Sequence, residues 1–337
     1  MKTPFFLILS AVLFFILTSP GKAVTHAFIW NSDAGMTDLG SLADGEDSVA
    51  LGINDNGQVV GYSYVNNVSH GFIWTEATGM VDIGLFEGNS TSATAINSRG
   101  VVAGDSFDGS HTLSFLWKST GGFVSLPQTG TYNVAAEAIN DSKKVVGVRY
   151  RSVNEAFIWD SKRGIVQSLG FLPGGDASEA RDINNLDHVT GWAHFPNGAQ
   201  HVFLWTRSGG MIDFGTPEDT FQAYAEAIND QEEIVGEADL GSFEKLFYWS
   251  GAVGYRILQT LGAVAGNVLD INNAGVIVGN CQVPETSLFH AVLWPDSLSA
   301  PQDLGTLPGG SYAVAFGINN VGQVVGQSDL TTKTDRR

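Results

Sequence analysis

Cysteine is almost absent from this chain of 337 residues, in which Cys281 is the only one. A single cysteine cannot form an intrachain disulfide, so the disulfide-stapled frameworks of small secreted domains are excluded. The chain is long enough for one large domain or two ordinary ones. We therefore expect a fold held by its apolar core, with Cys281 packed as a small apolar group in or beside a strand.

Positive charge is also scarce, because 17 Lys and Arg residues stand against 35 Asp and Glu residues. Without Lys2 and Lys22 the balance is 15 basic against 35 acidic residues, a formal charge of −20. A surface this acidic repels phosphate backbones and anionic membranes, so no nucleic-acid partner is expected. Acidity is compatible with cation binding and equally with simple solubility outside the cell.

Long apolar runs are missing except for the 13 residues from Phe5 to Leu17. This run follows Lys2 and precedes the small residues of TSPGKA, which predicts a secretory signal peptide over residues 1–23, cleaved after Ala23. The alternative, an uncleaved membrane anchor, needs closer to about 20 apolar residues. The signal predicts a secreted, extracellular or periplasmic protein with no integral membrane span after cleavage.

What the sequence does contain is a repeat. A pentad of the type HAFIW occurs seven times, and so does an Ile-Asn pair, whose successive spacings are 43, 43, 44, 45, 43 and 47 residues. A glycine after a β-branched run recurs with the same period. The pentads begin at His26, His70, Leu113, Glu155, His201, Lys245 and His290.

A period in the low forties is typical of helical repeats or of propeller blades, and local chemistry separates the two. Each unit contains four short segments rich in β-branched or aromatic residues, such as SVALGIN, QVVGYS, HGFIW and MVDIG, with turn residues between them. No segment places apolar residues at helical spacing over ten positions. The repeat therefore predicts an all-β, seven-bladed β-propeller of four-stranded antiparallel blades over residues 24–329, followed by a polar tail at 330–337.

The phase of the repeat predicts how the ring closes. If SVALGIN is the innermost strand of a blade, the chain begins with the third and fourth strands of a blade, His26 to Gly40. It ends with a first and second strand, Tyr312 to Ser328. Pairing Gln323–Ser328 with His26–Trp30 would make a composite seventh blade and remove two exposed sheet edges.

The periodic aromatic residues have two interpretations. They can fill the wedge between neighbouring blades, which widens away from the axis, or they can form a platform on which sugar rings stack. Packing is favoured, because each sheet lies between two others and both of its faces must be apolar. The small residues before each Ile-Asn pair, Ala50 among them, fit the narrow space near the axis.

The units resemble the HAF-repeat family of predicted extracellular bacterial proteins, and the resemblance covers essentially the whole chain after residue 23. The first unit (HAFIW, GMTDLGSL, INDNGQVVGYS) and the last (HAVLW, DLGTLPGG, INNVGQVVGQS) carry it most fully. The third unit departs from the pattern, with LSFLW and with Leu126-Pro127 where Leu-Gly is usual. The resemblance implies an exported protein and supplies no catalytic residues.

Two regions are candidates for a binding site. The links between second and third strands differ in length and composition, and variable loops on a repeated scaffold usually carry binding specificity, although exposed loops also drift freely. Five aromatic residues in these links are candidate contacts for sugar rings or a protein partner, although single exposed aromatics often have no role. They are Tyr64, Phe107, Tyr150, Phe195 and Phe243.

The second candidate is the central channel. Charged residues immediately before the Ile-Asn pairs fall on consecutive innermost strands, where they could surround a polar ligand or a cation, or simply line a water-filled axis. This polar cluster is Glu137, Arg181, Asp182, Glu226 and Asp270.

Signatures of enzymes and of metal sites are absent from the sequence. The histidines that begin four pentads fall on different blades, so a zinc site is not expected, and neither is a cofactor. The sequence favours a monomeric, non-enzymatic binding or adhesion module that presents variable loops to a glycan or an extracellular protein. The alternative is a carbohydrate-active hydrolase or lyase that uses carboxylates at the channel mouth.

Overall fold

The computed structural model describes residues 24–127, 133–239 and 244–330, and every regular element in these ranges is a β-strand. The signal peptide expected at residues 1–23 lies outside the described residues, as do residues 331–337. No helix in the described ranges is long and apolar enough to cross a membrane. The all-β prediction is confirmed.

The described strands form seven antiparallel blades of four strands each, which confirms the seven-bladed propeller. A single parallel bridge between Gln200 and Gln222 also links two neighbouring blades.

Six blades are continuous in sequence. Blade 1 consists of β3 (Ser48–Ile53), β4 (Val59–Val65), β5 (Val68–Thr75) and β6 (Gly79–Gly84). Blade 2 consists of β7 (Ser90–Ile96), β8 (Val102–Phe107), β9 (Thr112–Lys118) and β10 (Gly122–Ser125). Blade 3 consists of β11 (Asn133–Ile139), β12 (Lys144–Tyr150), β13 (Asn154–Asp160) and β14 (Ile165–Ser168).

The next three blades repeat the same order, with the Ile-Asn strand innermost. Blade 4 consists of β15 (Ala177–Ile183), β16 (Val189–His194), β17 (Gln200–Thr206) and β18 (Gly210–Gly215). Blade 5 consists of β19 (Gln222–Ile228), β20 (Ile234–Asp239), β21 (Glu244–Ser250) and β22 (Gly254–Ile257). Blade 6 consists of β23 (Gly266–Ile271), β24 (Ile277–Gln282), β25 (Phe289–Trp294) and β26 (Gln302–Gly305).

The seventh blade is composite, as predicted. Its order is β2-β1-β28-β27, built from β27 (Ala313–Ile318), β28 (Val324–Leu330), β1 (Val24–Asn31) and β2 (Gly35–Gly40). The two chain ends pair antiparallel from Val24 with Leu330 to Trp30 with Val324. Both otherwise exposed edges are therefore covered within one sheet.

The pentads form the core between the blades. Six of the seven central residues are phenylalanines, such as Phe28, and all six are completely buried, while Val292 fills the same place in blade 6. The small residue three positions before the Ile of each Ile-Asn pair, such as Ala50, is also buried. Large side chains outside and small ones near the axis confirm that the aromatic row is core.

Every innermost strand contains a β-bulge at the position two before the Ile of the Ile-Asn pair. The register of β3 against β4, for example, skips Leu51 between Ala50 and Gly52. A bulge leaves one residue unpaired and turns its side chain away from the ladder. The sequence comparison did not reveal these bulges, which occupy Leu51, Thr94, Glu137, Arg181, Glu226, Leu269 and Phe316.

The Asn of each Ile-Asn pair joins its blade to the next one. Asn54 Nδ2 donates to the Asn97 carbonyl at 2.9 Å, and the pattern continues around the molecule until Asn319 Nδ2 donates to the Asn54 carbonyl at 3.0 Å. All seven side chains are buried. In blade 1 the amide oxygen also accepts the backbone N–H groups of Asn56 and Gln58. The ring is completed by Asn97, Asn140, Asn184, Asn229 and Asn272.

The following position forms a second, more exposed ring that has one gap. In six blade-to-blade steps a backbone N–H donates to an Asp or Asn side chain of the next blade, as Ser98 N does to Asp141 Oδ1 at 2.9 Å. Ser98 itself is too short to accept the N–H of Asp55 in this way. Asn56 Nδ2 instead donates to the Ser98 carbonyl at 2.8 Å.

Ser98→Asn is expected to close this gap and to raise the free energy of unfolding by about 0.5–1 kcal/mol, the usual net contribution of one hydrogen bond. Asp141→Ala is the reciprocal control and should lower it by a similar amount, because it removes the acceptor for Ser98 N. Urea denaturation of both variants measures the difference. A destabilised Ser98→Asn protein would contradict the assignment of the gap.

Candidate functional site

The connections of the propeller differ in how much they vary. On the turn face a β-branched residue of the second strand follows six residues after the Ile of the first strand in every blade, as Val59 follows Ile53, whereas the links between third and fourth strands contain three to seven residues. On the opposite loop face, links between second and third strands range from the two residues between Val65 and Val68 to the six between Gln282 and Phe289. The loop face also carries the links from each blade to the next.

Three of the five predicted channel residues meet in the middle of the channel. Glu137, Arg181 and Glu226 are the bulged residues of blades 3, 4 and 5. Arg181 donates to Glu226 Oε2 at 2.8 Å and to Glu137 Oε2 at 3.2 Å. The Glu226 and Glu137 carboxylates raise the pKa of the Arg181 guanidinium against the effect of burial, and burial raises the pKa of Glu137 despite Arg181. The Arg181 guanidinium therefore joins blade 4 to blades 3 and 5.

The other two, Asp182 and Asp270, lie nearer the turn face and bind backbone. Asp182 accepts the N–H groups of Ile183 at 2.7 Å and Ile228 at 2.8 Å. Asp270 accepts those of Ile271 and Ile318, each at 2.8 Å. Burial raises the pKa of Asp182 to about 6 and that of Asp270 to about 7. Both carboxylates join neighbouring blades, at the edge of a small polar cavity of about 160 Å³.

The remaining bulge positions make the other side of the channel less polar. Blades 1, 6 and 7 place Leu51, Leu269 and Phe316 at the positions that Glu137, Arg181 and Glu226 occupy in blades 3 to 5. The charges at the bulge positions are thus confined to blades 3 to 5.

Sequence reasoning missed three further enclosed carboxylates between blades. Burial raises the pKa of Glu179 to about 7, of Glu237 to about 8 and of Asp105 to about 7. Each is hydrogen-bonded across a blade boundary. Asn154 Nδ2 donates to Glu179 at 2.5 Å, Asn267 Nδ2 to Glu237 at 2.8 Å, and Ala136 N to Asp105 at 3.0 Å.

A signal for two of these carboxylates was present in the repeat. The residue directly after the glycine of each second strand changes its chemistry from blade to blade, while the glycine itself does not. Comparison of this column identifies Asp105 and Glu237, whose carboxylates face the next innermost strand. The full column reads Tyr62, Asp105, Val148, Trp192, Glu237, Asn280 and Gln327.

The loop-face aromatics predicted as contacts have different surroundings. Phe107 is exposed, Tyr64 makes an edge contact with Tyr62, and Phe195 lies 4.6 Å from the ring of His201. Tyr150 is half-buried, and the Glu137 and Glu179 carboxylates act with burial to raise its pKa. Phe243 lies outside the described residues. Among the four described rings, no ring contact joins any two.

The pentad histidines pair with carboxylates on the fourth strand. The pair His70 Nδ1 and Asp82 Oδ2, separated by 2.8 Å, represents a pattern that four blades share. Within the part of the chain that the structure describes, no group of three or more His, Cys, Asp or Glu side chains is placed to hold a metal ion. The other pairs are His26–Asp38, His201–Asp213 and His290–Asp303.

Glu237→Gln is expected to stabilise the protein at alkaline pH. A carboxyl whose pKa rises from its ordinary 4.5 to about 8 on folding contributes stability below about pH 4 and loses it as pH rises to about 8. Burial, Glu226 and Glu244 cause the elevation, and the amide carries no proton to lose. We expect the variant to exceed the wild type by about 1–3 kcal/mol at pH 9 and to match it near pH 4.

Urea denaturation at the two pH values measures this difference. The exposed Glu76→Gln is the matched control and should shift stability equally at both. A Glu237→Gln protein whose advantage did not grow with pH would contradict a raised pKa at this site.

Comparison with known proteins supports the fold. No protein-family model matches the sequence. No curated protein matches it either. Among solved structures, TolB from Acinetobacter baumannii is similar over 82% of this chain, with 14% identity and a TM-score of 0.52, and this chain spans 64% of that protein's length.

Two further structures are similar at low identity. The β-propeller domain of the Trilobed protease from Pyrococcus furiosus matches 76% of this chain and 81% of its own, with 10% identity and a TM-score of 0.57. The similarity to virginiamycin B lyase from Staphylococcus aureus covers 90% of this chain and 99% of that chain, with 9% identity and a TM-score of 0.51. At these identities the likeness establishes the β-propeller fold and nothing about activity.

Proposed function

We propose that this protein is an exported, non-enzymatic binding module that holds a glycan or an extracellular protein on its loop face. The observation that carries the proposal is the contrast between the constant inner turns and the variable loop-face links. The Ile-to-β-branched spacing across the inner turns is the same in all blades, whereas the loop-face links change in length and chemistry. Rigid strands that present variable loops are the usual arrangement of a binding scaffold.

The export part of the proposal depends on the apolar run Phe5–Leu17 and on the resemblance to the HAF-repeat family. The binding part depends on loop-face aromatics, of which Phe107 is exposed, while Tyr64 and Phe195 are partly exposed on blades 1 and 4. Rigid aromatic rings supply contact area to sugars and proteins at a low entropic cost.

A glycan array tests the glycan form of this proposal directly. The triple variant Tyr64→Ala/Phe107→Ala/Phe195→Ala is expected to lose at least about tenfold in affinity for any bound glycan, since anchor side chains contribute more than about 1 kcal/mol each. The matched control removes exposed apolar residues from the turn face: Leu186→Ala/Leu298→Ala/Val321→Ala. Equal binding by both variants would remove the loop-face aromatics from the site.

The carbohydrate-active alternative requires carboxylates that are free to exchange protons with a substrate. Glu137 and Glu226 are both engaged by Arg181, and Asp182 and Asp270 each accept two backbone N–H groups. These contacts weigh against the alternative. Hydrolysis or elimination of a polysaccharide by the wild type, abolished by Glu137→Gln or Glu226→Gln, would establish it instead.

A further inference from the structure

We infer that the partner of the loop face is a cationic polypeptide segment in which Lys or Arg side chains are interspersed with apolar ones. This inference rests on the proposed function, because it takes the loop face as the binding surface. It adds the chemistry of the partner, which follows from the charge and from the apolar side chains of that face.

The loop-face links are acidic beyond the general acidity of the chain. They contain nine acidic residues and one basic residue, Arg151, which itself lies 3.4 Å from Glu155. The turn-face links also contain nine acidic residues, but five basic residues accompany them. The nine loop-face acids are Asp44, Glu46, Asp47, Glu87, Asp108, Asp176, Glu218, Asp219 and Glu285.

Exposed apolar side chains lie among these acids on the same face. They recur on most of the blade boundaries, and their exposed fractions lie between 39% and 65%. Apolar side chains repeated around one rim mark an interaction surface more strongly than single ones do. Those in the loop-face links or at a strand end beside them are Leu85, Phe107, Val153, Phe171, Phe221, Val264 and Leu288.

One part of this surface forms a recess for a side chain. Between blades 4 and 5, a cavity of about 410 Å³ is bounded by Glu218, Asp219, Lys245 and the apolar Ile257. Lys245 Nζ donates to the Glu218 carbonyl, so its charge is directed toward backbone. Phe221, 54% exposed, belongs to the same link as the two acids. Carboxylates beside an apolar wall suit a long basic side chain, whose stem packs while its head pairs.

The charge of the loop face indicates which class of partner it attracts. A face with eight more acidic than basic link residues attracts a basic segment over a long range and repels anionic polymers and membranes. A neutral glycan gains nothing from these charges and has no apolar side chains to place against Leu85, Phe171 or Val264. A Lys- and Arg-containing polypeptide uses both features at once.

The test uses a fluorescein-labelled synthetic peptide in which Lys and Leu alternate, with two matched peptides that replace Lys by Gln or Leu by Ser. Fluorescence anisotropy with the full protein is expected to show binding of the Lys-Leu peptide and at least about tenfold weaker binding of each counterpart. Binding should weaken further as salt is added. Equal affinity for the Lys-Leu and Gln-Leu peptides would overturn the inference.

Protein variants locate the contact. Glu218→Gln/Asp219→Asn is expected to weaken binding about threefold to tenfold, and Phe221→Ser/Val264→Ser by a similar factor. Two matched control variants make comparable changes on the turn face and should leave binding unchanged. They are Asp33→Asn/Glu76→Gln and Val253→Ser/Leu298→Ser. All substituted residues are exposed, and circular dichroism checks that the variants fold.

The outcomes separate the two proposals. Equal weakening by the loop-face and turn-face variants would show nonspecific attraction to an acidic protein and would overturn the inference. Glycan binding that depends on the loop face, without binding of the Lys-Leu peptide, would overturn the inference and leave the proposed function standing. A loop face that binds neither glycan nor peptide would overturn the inference and the glycan form of the proposed function.

Discussion

Deletion of His26–Gly40 is expected to abolish cooperative folding of the whole propeller. These residues supply β2 and most of β1, and they close the ring through the pairing of β1 with β28. The segment also contributes Phe28, which is completely buried, and Trp30, which is 9% exposed. Removing one such core residue costs about 3–5 kcal/mol, so the loss of both, together with the pairing of β1 and β28, is comparable with the 5–15 kcal/mol that typically stabilises a domain.

The matched deletion removes residues 331–337 and leaves every described strand pair intact. Its unfolding midpoint in urea should lie close to that of the full chain. The larger deletion should show no cooperative transition, and it should aggregate on gel filtration because β28 becomes an exposed edge strand. Two truncations with equal effects would contradict closure through the composite blade.

The architecture could be predicted because it depends on patterns that repeat at short range. Apolar alternation in a pentad such as HAFIW fixes strands, and INDNG fixes a tight hairpin. The phase of the repeat then placed half a blade at each end of the chain. The composite blade follows because only pairing of the two ends leaves no open sheet edge.

Bonds between blades could not be predicted in the same way. Within its own turn, the Asn54 amide oxygen accepts the N–H groups of Asn56 and Gln58. Its amide nitrogen reaches the carbonyl of Asn97, 43 residues further along the chain. That contact depends on how closely the hairpins approach around the axis, which the pattern within one repeat does not show.

The candidate site was predicted only in part. The cluster of charges in the channel exists, but Arg181 joins two of its carboxylates and backbone N–H groups occupy Asp182 and Asp270. Residue type and position alone do not show which partner a carboxylate finds. Glu179 lies outside the two positions before Ile-Asn in which the sequence shows a cluster of charges, although it also faces a neighbouring blade.

The second large effect concerns the glycine that follows the β-branched residues of each second strand. In all seven blades a Cβ built on this glycine would lie 1.9–2.2 Å from a carbonyl oxygen of the innermost strand. These atoms are backbone and cannot move aside as a side chain can. The first and second strands approach this closely beside the bulge, and the close approach explains why the column contains only glycine. The residues are Gly61, Gly104, Gly147, Gly191, Gly236, Gly279 and Gly326.

Gly191→Ala is therefore expected to destabilise the protein by at least about 3–4 kcal/mol, comparable with the loss of a large core side chain. Its Cβ would lie 1.9 Å from the Glu179 oxygen, so β15 and β16 must separate and lose ladder hydrogen bonds beside the channel. Gly121→Ala and Gly251→Ala are matched controls, since no atom lies within 4 Å of either Cβ, and they should change stability by less than about 0.5 kcal/mol. Urea denaturation at neutral pH gives all three values. A Gly191→Ala protein as stable as the controls would show that the two strands do not approach this closely in solution.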